Sequence, residues 1–437
     1  MREYLQQLEA SGQVARVQRE VSPRHELAAV TWASQRQDER VVRFERVSGT
    51  HMPVVTNLYG SHARLCALLS ARSDEFCRRW WEVVDGPAPG IAPTARQRPT
   101  DLCTGSLLNL PQITYHGKDA GPYITSAIFL AKEPDTGVPN LSFHRAMVVG
   151  PDELRIRLGT GHDLTRYQAI AEARNEPLEA VMLIGVEPAV FLAACASPPY
   201  EVSELDVAAK LAGRPIDCYP CRHLDLGVPL ATEVVIEGRI LPKVRRPEGP
   251  FGEFMGFYIP TTDNHVFEVL DVYWREGALF HGLLCGSPDD LRPMEAVTAA
   301  RIYKHLTNQL RGVIDVCCRP NVMITIIKIR KQYDGHGGHA LLAAVGSHLD
   351  YNKVCIVVDE DVDIYNLEDV MWAYLTRGRA DTRAQVIRDI PGFYRDPNKD
   401  HWGRLLIDAT MPWGRESDLQ RKLIPGATEI DLSAYLT

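Results

Sequence analysis

The chain of 437 residues is 45% hydrophobic and 24% charged, a composition typical of a folded globular protein with about two or three domains. Its net charge of -8 and isoelectric point near 6.0 exclude nucleic-acid binding as its main role, because such binding needs a basic surface. No run of about 18 apolar residues exists, so no membrane span is expected. The ten cysteines follow no spacing framework, which indicates reduced thiols in a cytoplasm.

The first part of the chain mixes helical and strand patterns. Its opening segment is amphipathic and lacks the apolar core of a signal peptide. The patterns predict helices at 2–10, 25–37, 61–71 and 74–84, and strands at 41–45 and 53–56. A Pro-rich segment at 86–93 indicates a surface loop or linker.

The middle of the chain is mostly β in pattern. Strands are predicted at 123–131, 143–149, 153–158, 180–185, 232–240 and 266–274, with helices at 163–174 and 202–212. Many short strands separated by Gly and Pro predict a barrel or sandwich core.

The last part alternates between helices and strands. A long helix is predicted at 288–312, a strand at 320–330, a break at 335–338, a helix at 339–349, a buried strand at 354–358 and a helix at 366–376. This alternation predicts an α/β unit that forms a third domain.

Residues 140–162 have the pattern of one β-hairpin with its turn at Gly150-Pro-Asp-Glu153. Asn140 and His162 lie equally far from the centre near Pro151, so they are expected to face each other at the open end. An amide oxygen and an imidazole suit a Mn²⁺- or Mg²⁺-like ion, particularly with a carboxylate or phosphate. The alternative is a polar hairpin end with a solvated histidine.

Arg145, Glu248 and Glu253 are candidates for proton handling. Arg145 is expected on one short strand with Asn140, and Glu248-Gly-Pro-Phe-Gly-Glu253 brings two carboxylates together across a Gly-Pro turn. One carboxylate can pair with the cation and stay ionised, while a desolvated one can hold a proton near neutral pH and deliver it. The alternative is a structural ion pair.

Four segments of the chain, taken together, resemble the UbiD-like decarboxylases, which use prenylated FMN. They are Asn140-Leu-Ser-Phe-His-Arg145-Ala-Met-Val, Ser203-Glu204-Leu-Asp-Val, Pro247-Glu-Gly-Pro-Phe-Gly-Glu253-Phe-Met-Gly-Phe-Tyr258 and Val358-Asp-Glu-Asp-Val-Asp-Ile364. The resemblance implies an N-terminal α/β domain at 1–115, a split β-barrel that binds the flavin, with the following long helix, at 116–312, and a C-terminal α/β oligomerisation domain at 313–437.

The resemblance also implies roles for single residues. Asn140, His162 and Glu204 match the residues that hold Mn²⁺ or Mg²⁺ against the cofactor phosphate, and a K⁺ ion is expected near Glu204 and the carbonyl groups around Ala193–Ala196. The local sequence explains Glu204 equally well as a first-turn acid after the N-cap Ser203.

Further cofactor contacts are implied for Ser142, Phe143, His144 and Arg145. A lysine that reaches the cofactor phosphate in some members has no obvious counterpart here. Ser347, His348 or Lys353 is the candidate to replace it.

The implied reaction is the reversible, non-oxidative decarboxylation of an aromatic, heteroaromatic or α,β-unsaturated carboxylic acid. By resemblance, the substrate adds to the iminium carbon of prenylated FMN, loses CO₂ and is then protonated. Arg145 is expected to bind the substrate carboxylate and to be oriented by Glu248, and Glu253 is expected to donate the proton.

The resemblance also implies a flavin prenyltransferase as supplier of the cofactor, and a homodimer or homohexamer. Three alternatives remain open: a hydroxybenzoate-type decarboxylase of quinone or phenolic metabolism, a non-catalytic subunit with the same fold, and a flavin-dependent reductase. No dinucleotide fingerprint supports the last of these.

Arg292 and Arg395 are the candidate residues for substrate choice. By alignment they fall at positions of the family pocket that often carry small or apolar side chains. Two cations near a ring would suit a second carboxylate, which predicts a furan- or benzene-type dicarboxylate. The alternative is two surface arginines paired with Asp289, Asp290 or Asp396.

Overall fold

The computed structural model describes residues 1–89, 96–347 and 351–390, and then 392–393, 396, 403–422, 424–426, 430–431 and 434–435. The chain divides into two compact units, residues 1–300 and 301–437. The domain boundaries expected after 115 and 312 stay predictions. Within the described ranges, no helix has the length and apolar character needed to cross a bilayer.

The beginning of the first unit contains the elements expected there, with ends shifted by a few residues. They are α1 (Arg2–Ala10), α2 (Glu26–Gln37), β2 (Val41–Phe44), β3 (Val54–Thr56), α3 (His62–Leu68) and α4 (Phe76–Val84), and two strands that were not expected accompany them, β1 (Val14–Val17) and β4 (Leu102–Gly105). Helix α1 forms because its apolar positions share one face, which buries Leu5 and Leu8.

The rest of the first unit is rich in strands. Its elements are β5 (Tyr123–Ile124), β6 (Ile128–Lys132), β7 (Pro139–Phe143), β8 (Ala146–Val148), β9 (Glu153–Ile156), α5 (Asp163–Ala173), β10 (Leu178–Ile184), α6 (Pro188–Ala193), α7 (Glu204–Ala212), β11 (Cys218–Pro220), β12 (Gly227–Pro229), β13 (Val234–Glu248), β14 (Phe251–Gly252), β15 (Tyr258–Ile259), β16 (Thr262–Arg275) and β17 (Phe280–His281).

The main sheet of this unit curls into a half barrel, with strand order β5-β8-β9-β16-β13-β10-β6-β7 and β4 also beside β16. Its two long strands, β13 and β16, pair from Val234 opposite Trp274 to Glu248 opposite Thr262. The register shifts twice along them, and such bulges bend and twist a sheet. At Gly238 a Cβ atom would lie 2.3 Å from the Glu268 carbonyl oxygen, so only glycine allows this close approach.

The expected hairpin from Asn140 to His162 is right at its centre and wrong at its open end. Strands β8 and β9 pair as predicted, with Ala146 opposite Ile156. The pairing with β9 ends at β8, however, and β7 pairs with β6 instead, which places Asn140 opposite Ala131. The equal spacing from the turn therefore does not bring Asn140 opposite His162.

The remaining elements are α8 (Pro288–Gln309), β18 (Val313–Cys317), β19 (Ile324–Ile329), α9 (His336–Gly346), β20 (Val354–Asp359), α10 (Leu367–Arg377), β21 (Ala384–Arg388) and β22 (Gly403–Asp408). The second unit has one sheet of order β18-β19-β20-β22-β21, in which β19, β20 and β22 run parallel. This is the α/β arrangement expected from the alternating pattern.

The expected break at 335–338 is wrong, because α9 already begins at His336 after Gly335, which has a φ of 80°. A Cβ atom at Gly337 would lie 2.6 Å from the carboxyl group of Asp408. Gly337 therefore serves close packing of the helix rather than its interruption.

Candidate active site

Three different parts of the first unit supply the predicted proton-handling residues. Arg145 lies in the connection between β7 and β8, which corrects its expected position on one strand with Asn140. Glu248 is the last residue of β13, and Glu253 directly follows β14. The connection between the two acids turns at Gly249, whose φ of 97° favours glycine.

The structure brings these three side chains into direct contact. Arg145 donates to both carboxylate oxygens of Glu248, from Nε at 3.0 Å and from Nη2 at 2.9 Å. Its Nη1 donates to Oε2 of Glu253 at 3.1 Å. All three side chains are buried, and the guanidinium lies 4.8 Å from the centre of the Phe251 ring. One cation therefore holds two carboxylates in an enclosed site.

Glu248 has two further hydrogen-bond donors. The Tyr123 hydroxyl donates to Oε1 at 2.8 Å, and Asn264 Nδ2 donates to Oε2 at 2.8 Å. Burial raises the pKa of Tyr123, and the nearby Glu248 raises it further, so the phenol keeps its proton. Four donated hydrogen bonds suit a carboxylate that acts only as an acceptor. Glu248 is thus built as a fixed anion that orients Arg145.

Glu253 is held differently. Its Oε1 accepts from the Phe254 N–H at 3.1 Å, and its own N–H donates to the Phe257 carbonyl group at 3.0 Å. These contacts lie within the short loop between β14 and β15. Glu253 therefore sits on a local turn, whereas Glu248 sits on a long strand of the main sheet.

The sequence did not predict that Tyr123 and Asn264 belong to the site. The Asn264 amide is oriented by Arg157, whose Nη1 donates to its Oδ1 at 3.0 Å. Asn264 lies on β16 opposite Arg246 of β13. Only the pairing of β13 with β16 brings Asn264 close to Glu248, and local sequence patterns do not predict which strands pair.

The predicted metal ligands Asn140 and Glu204 contact each other. Helix α7 begins after Ser203, whose Oγ accepts from the Leu205 N–H at 3.2 Å, and this cap places Glu204 in the first turn. Glu204 Oε1 accepts from Asn140 Nδ2 at 3.0 Å, and Oε2 accepts from the Leu141 N–H at 2.8 Å. Coordination by Asn140 requires its Oδ1 to face the ion instead, which a rotation of the amide provides.

The third predicted ligand, His162, precedes α5 at the surface. Its ring centre lies 5.1 Å from that of His144. Nε2 of His144 contacts the Ser142 hydroxyl at 2.9 Å, and Ser142 donates to Asn140 Oδ1 at 3.0 Å. A chain of hydrogen bonds therefore leads from His144 to Glu204, and the His162 ring packs edge-on against the His144 ring at its end.

The Glu204 carboxyl is suited to a bound cation. Burial raises its pKa to about 7, even though Leu141 N–H and Asn140 donate to it. Carboxylate, amide and imidazole are appropriate ligands for Mn²⁺ or Mg²⁺. No group of three or more His, Cys, Asp or Glu side chains forms a metal centre in the part of the chain that the structure describes. The predicted set differs from such a group because one ligand is an amide.

Phe143 is a half-buried predicted cofactor contact at the end of β7. Its ring centre lies 5.0 Å from that of Phe191 in α6, and Phe191 stacks on Tyr59 at 3.9 Å. The aromatic cluster gives this end of β7 an apolar support.

The candidates for the missing lysine lie in the second unit. Lys353 Nζ donates to Asp396 at 2.6 Å, and the Ser347 hydroxyl donates to the Ala344 carbonyl group at 2.6 Å. His348 lies outside the described residues. Phosphate binding by these residues stays a prediction.

Arg292 forms an ion pair with Glu295, not with one of the aspartates expected as its partners. Its Nη1 donates to Glu295 at 2.6 Å within α8. Asp289 instead accepts from the Tyr59 N–H, and Asp290 accepts from the Gly286 N–H at 2.7 Å.

The segment that directly precedes α8 lies beside the loop of Glu253. At Gly286 a Cβ atom would lie 3.1 Å from Cα of Phe254. Asp290, which holds the Gly286 N–H, has its pKa raised to about 6 by burial. Arg292 follows on the same helix, while Arg395 lies outside the described residues. Substrate contact by both arginines stays a prediction.

Three family models match successive parts of the chain. They describe the N-terminal domain of a 3-octaprenyl-4-hydroxybenzoate carboxy-lyase at residues 5–84, its Rift-related domain at 92–288 and its C-terminal domain at 292–409.

Proteins of similar sequence and structure carry related names. Anhydromevalonate phosphate decarboxylase of Methanothermobacter thermautotrophicus is 30% identical, over 93% of this chain and 96% of that protein. Phenolic acid decarboxylase of Sedimentibacter hydroxybenzoicus is 32% identical, over 94% and 91%. The UbiD-class enzyme HmfF of Pelotomaculum thermopropionicum in complex with FMN is 34% identical with a TM-score of 0.93, over 100% and 99%. An evolved dimeric form of HmfF was solved with prenylated FMN.

Proposed function

Because the chain belongs to the UbiD family and is a non-oxidative carboxy-lyase that uses a flavin, we propose that Arg145, Glu248 and Glu253 are its catalytic residues. The observation that carries this proposal is the single buried guanidinium that contacts both carboxylates. Glu248 holds Arg145 by two hydrogen bonds, which leaves one edge of the guanidinium for Glu253 or a substrate carboxylate.

Each residue of the site has its own role in the reaction. Arg145 binds the carboxylate that leaves and is kept in place by Glu248. When bound, prenylated FMN supplies the electron sink that cleavage of the carbon–carboxylate bond requires. Glu253 then gives its proton to the carbon that has lost CO₂, and takes a new proton from solvent before the next turnover. In the reverse direction Glu253 removes the same proton.

We place the cofactor phosphate and its divalent ion, Mn²⁺ or Mg²⁺, at Asn140, His162 and Glu204. Ser142, Phe143 and His144 contribute to the same site, and K⁺ binds near Glu204 and residues 193–196. The contact between Asn140 and Glu204 and the raised pKa of the buried carboxyl support this assignment.

A first prediction follows for cofactor and metal. Protein made without a flavin prenyltransferase is expected to lack turnover, because unmodified FMN lacks the required electron sink. His162→Ala and Glu204→Ala should each lower bound flavin and bound divalent metal together, measured by absorption spectroscopy and metal analysis after co-expression with a flavin prenyltransferase. His223→Ala, which changes an exposed histidine, is the control and should retain both.

Two results would contradict these assignments. Full activity with unmodified FMN would exclude the prenylated cofactor. Normal metal content in both variants would exclude His162 and Glu204 as ligands.

We propose a ring dicarboxylate as the substrate, of the furan or benzene type. The contact between Gly286, two residues before α8, and Phe254 in the Glu253 loop supports a role for Arg292, because Arg292 lies near the start of that helix. Arg395 is the second proposed cation. A hydroxybenzoate is the alternative, favoured by the similarity to the Sedimentibacter hydroxybenzoicus enzyme.

The second prediction concerns substrate preference. The wild-type enzyme is expected to prefer a dicarboxylate over its monocarboxylate analogue by about tenfold to a hundredfold in kcat/KM, the equivalent of one charge-assisted contact. Arg292→Ala should remove most of this preference and leave the monocarboxylate rate nearly unchanged, because Arg145 still binds the leaving carboxylate. Steady-state kinetics on both substrates provide the measurement, with exposed Arg96 replaced by Ala as the control.

Equal losses on both substrates would assign Arg292 to the fold. A wild-type preference for the monocarboxylate would exclude the dicarboxylate and favour the hydroxybenzoate.

The remaining proposals concern supply and assembly. A flavin prenyltransferase provides the cofactor, and the protein assembles as a homodimer or homohexamer, supported by the dimeric form of HmfF. A cytoplasmic location agrees with ten cysteines that are all free thiols.

A further inference from the structure

A short segment before β5, residues 116–120, braces the loop that carries Glu253. The Ala120 N–H donates to the Pro250 carbonyl group at 2.9 Å, and the Lys118 N–H donates to the Tyr258 hydroxyl at 3.3 Å. These contacts reach both sides of the β14–β15 hairpin. The segment has no role in the family-derived assignments above.

Asp119 makes the central contact of this segment. Its side chain is fully buried, and its Oδ1 accepts from the Gly252 N–H at 2.8 Å. Its Oδ2 accepts from the His116 N–H at 2.8 Å, which closes the segment on itself. A buried carboxylate with two backbone donors is a rigid anchor, because leaving either donor unpaired costs free energy. Gly252 directly precedes Glu253, so the anchor acts one residue from the proton donor.

His116 explains why the residue at 252 is glycine. A Cβ atom there would lie 2.5 Å from Nδ1 of His116. The imidazole therefore packs directly on the backbone between β14 and Glu253, and only the absence of a side chain permits this. Asp119 and His116 together fix the backbone position from which the Glu253 side chain extends.

We propose that Asp119 is a positioning residue that holds Glu253 in register for proton transfer. The proposal rests on the proposed role of Glu253 as proton donor. Asp119 touches neither Arg145 nor Glu248 in the contacts described above, and it acts through the Gly252 N–H. Its removal should consequently slow proton transfer more than substrate or cofactor binding.

The third prediction tests this role. Asp119→Ala is expected to lower kcat by about tenfold to a hundredfold, the loss typical of a catalytic group displaced by about 1 Å. KM and flavin content should stay within about threefold, because the binding residues are unchanged. The solvent isotope effect on kcat should increase, since proton transfer becomes slower relative to the other steps. Asp119→Asn keeps one oxygen that can accept from the Gly252 N–H, but its NH2 group cannot accept from the His116 N–H, so it should recover part of kcat.

Glu237→Gln is a matched control. Glu237 is also a fully buried acid that accepts two backbone N–H groups, from Arg222 at 2.7 Å and His223 at 2.8 Å, but it lies far from Glu248 along β13. This variant should lower thermal stability without changing the solvent isotope effect.

Two results would overturn the role of Asp119. One is an unchanged kcat and isotope effect in Asp119→Ala, and the other is a parallel loss of flavin, stability and kcat that Asp119→Asn does not restore. Exchange of the product proton with D₂O, measured in both Asp119→Ala and Glu253→Gln, distinguishes the role of Asp119 from that of Glu253. If Glu253→Gln still exchanges the product proton, Glu253 is not the proton donor, and the proposed role of Asp119 is then also wrong. Exchange lost there but normal in Asp119→Ala contradicts only Asp119.

Discussion

Replacement of Glu253 by Gln is expected to abolish turnover while cofactor binding stays normal. The amide is nearly isosteric and can still accept from Arg145, so the contact at 3.1 Å can persist. It cannot donate an acidic proton, however, and loss of a general acid typically costs about 10²–10⁴-fold in rate. The variant should also fail to exchange the ring or vinyl proton of the product with D₂O.

Both properties are measurable on one preparation. Flavin absorption reports cofactor content, and proton NMR of the product in D₂O reports exchange. Ordinary exchange in Glu253→Gln would show that the proton comes from another group, and Glu248 would then be tested in the same way.

Replacement of Arg145 by Ala is expected to cause losses of both stability and activity. The change leaves the buried Glu248 carboxylate without its cation, and breaking a buried ion pair from one side costs roughly 3–5 kcal/mol in the free energy of unfolding. Tyr123 and Asn264 remain as donors but carry no charge. Turnover should fall below detection because the substrate carboxylate also loses its partner.

Arg145→Lys separates charge from geometry in this prediction. Lysine keeps the positive charge but cannot make two parallel hydrogen bonds to Glu248 while also contacting Glu253. Urea unfolding should therefore show a smaller loss of stability than for Arg145→Ala, while kcat stays low in both. Equal stability of the wild-type and Arg145→Ala proteins would mean that the buried pair contributes nothing to folding.

The sequence predicts much of the fold because most elements have strong local patterns. Amphipathic segments such as Arg2–Ala10 and apolar runs such as Val354–Asp359 lie where they are expected. The family and the three-domain architecture expected from the resemblance are confirmed by the matching models and by the structural similarity to HmfF.

The errors arise where tertiary contacts override a local pattern. Asn140 does not pair across the predicted hairpin, because β7 pairs with β6 and only β8 pairs with β9. The glycines at 337 and 338 were interpreted as a break, yet both lie in α9, where Gly337 packs closely against Asp408.

The composition of the candidate site was only partly predictable for the same reason. Arg145, Glu248 and Glu253 were recognised because they lie in distinctive segments. Tyr123 and Asn264 contact Glu248 from other strands, and their own surroundings in the sequence carry no sign of this. Such supporting contacts depend on strand register, which a single sequence does not reveal.

The placement of the two acids on different supports has a consequence for local opening of the site. Glu248 ends the long strand β13, which pairs with β16 on both sides of its bulges, whereas Glu253 lies in the loop of a hairpin whose two strands have two residues each. Arg145 donates one hydrogen bond to Glu253, whereas Glu248 accepts two from Arg145 and two more from Tyr123 and Asn264. The Glu253 side chain can therefore rotate away from Arg145 as product leaves, with its backbone held in place, while the Glu248 anion and the guanidinium remain assembled. Each catalytic cycle then remakes the single hydrogen bond between Arg145 and Glu253 and leaves the two hydrogen bonds between Arg145 and Glu248 intact.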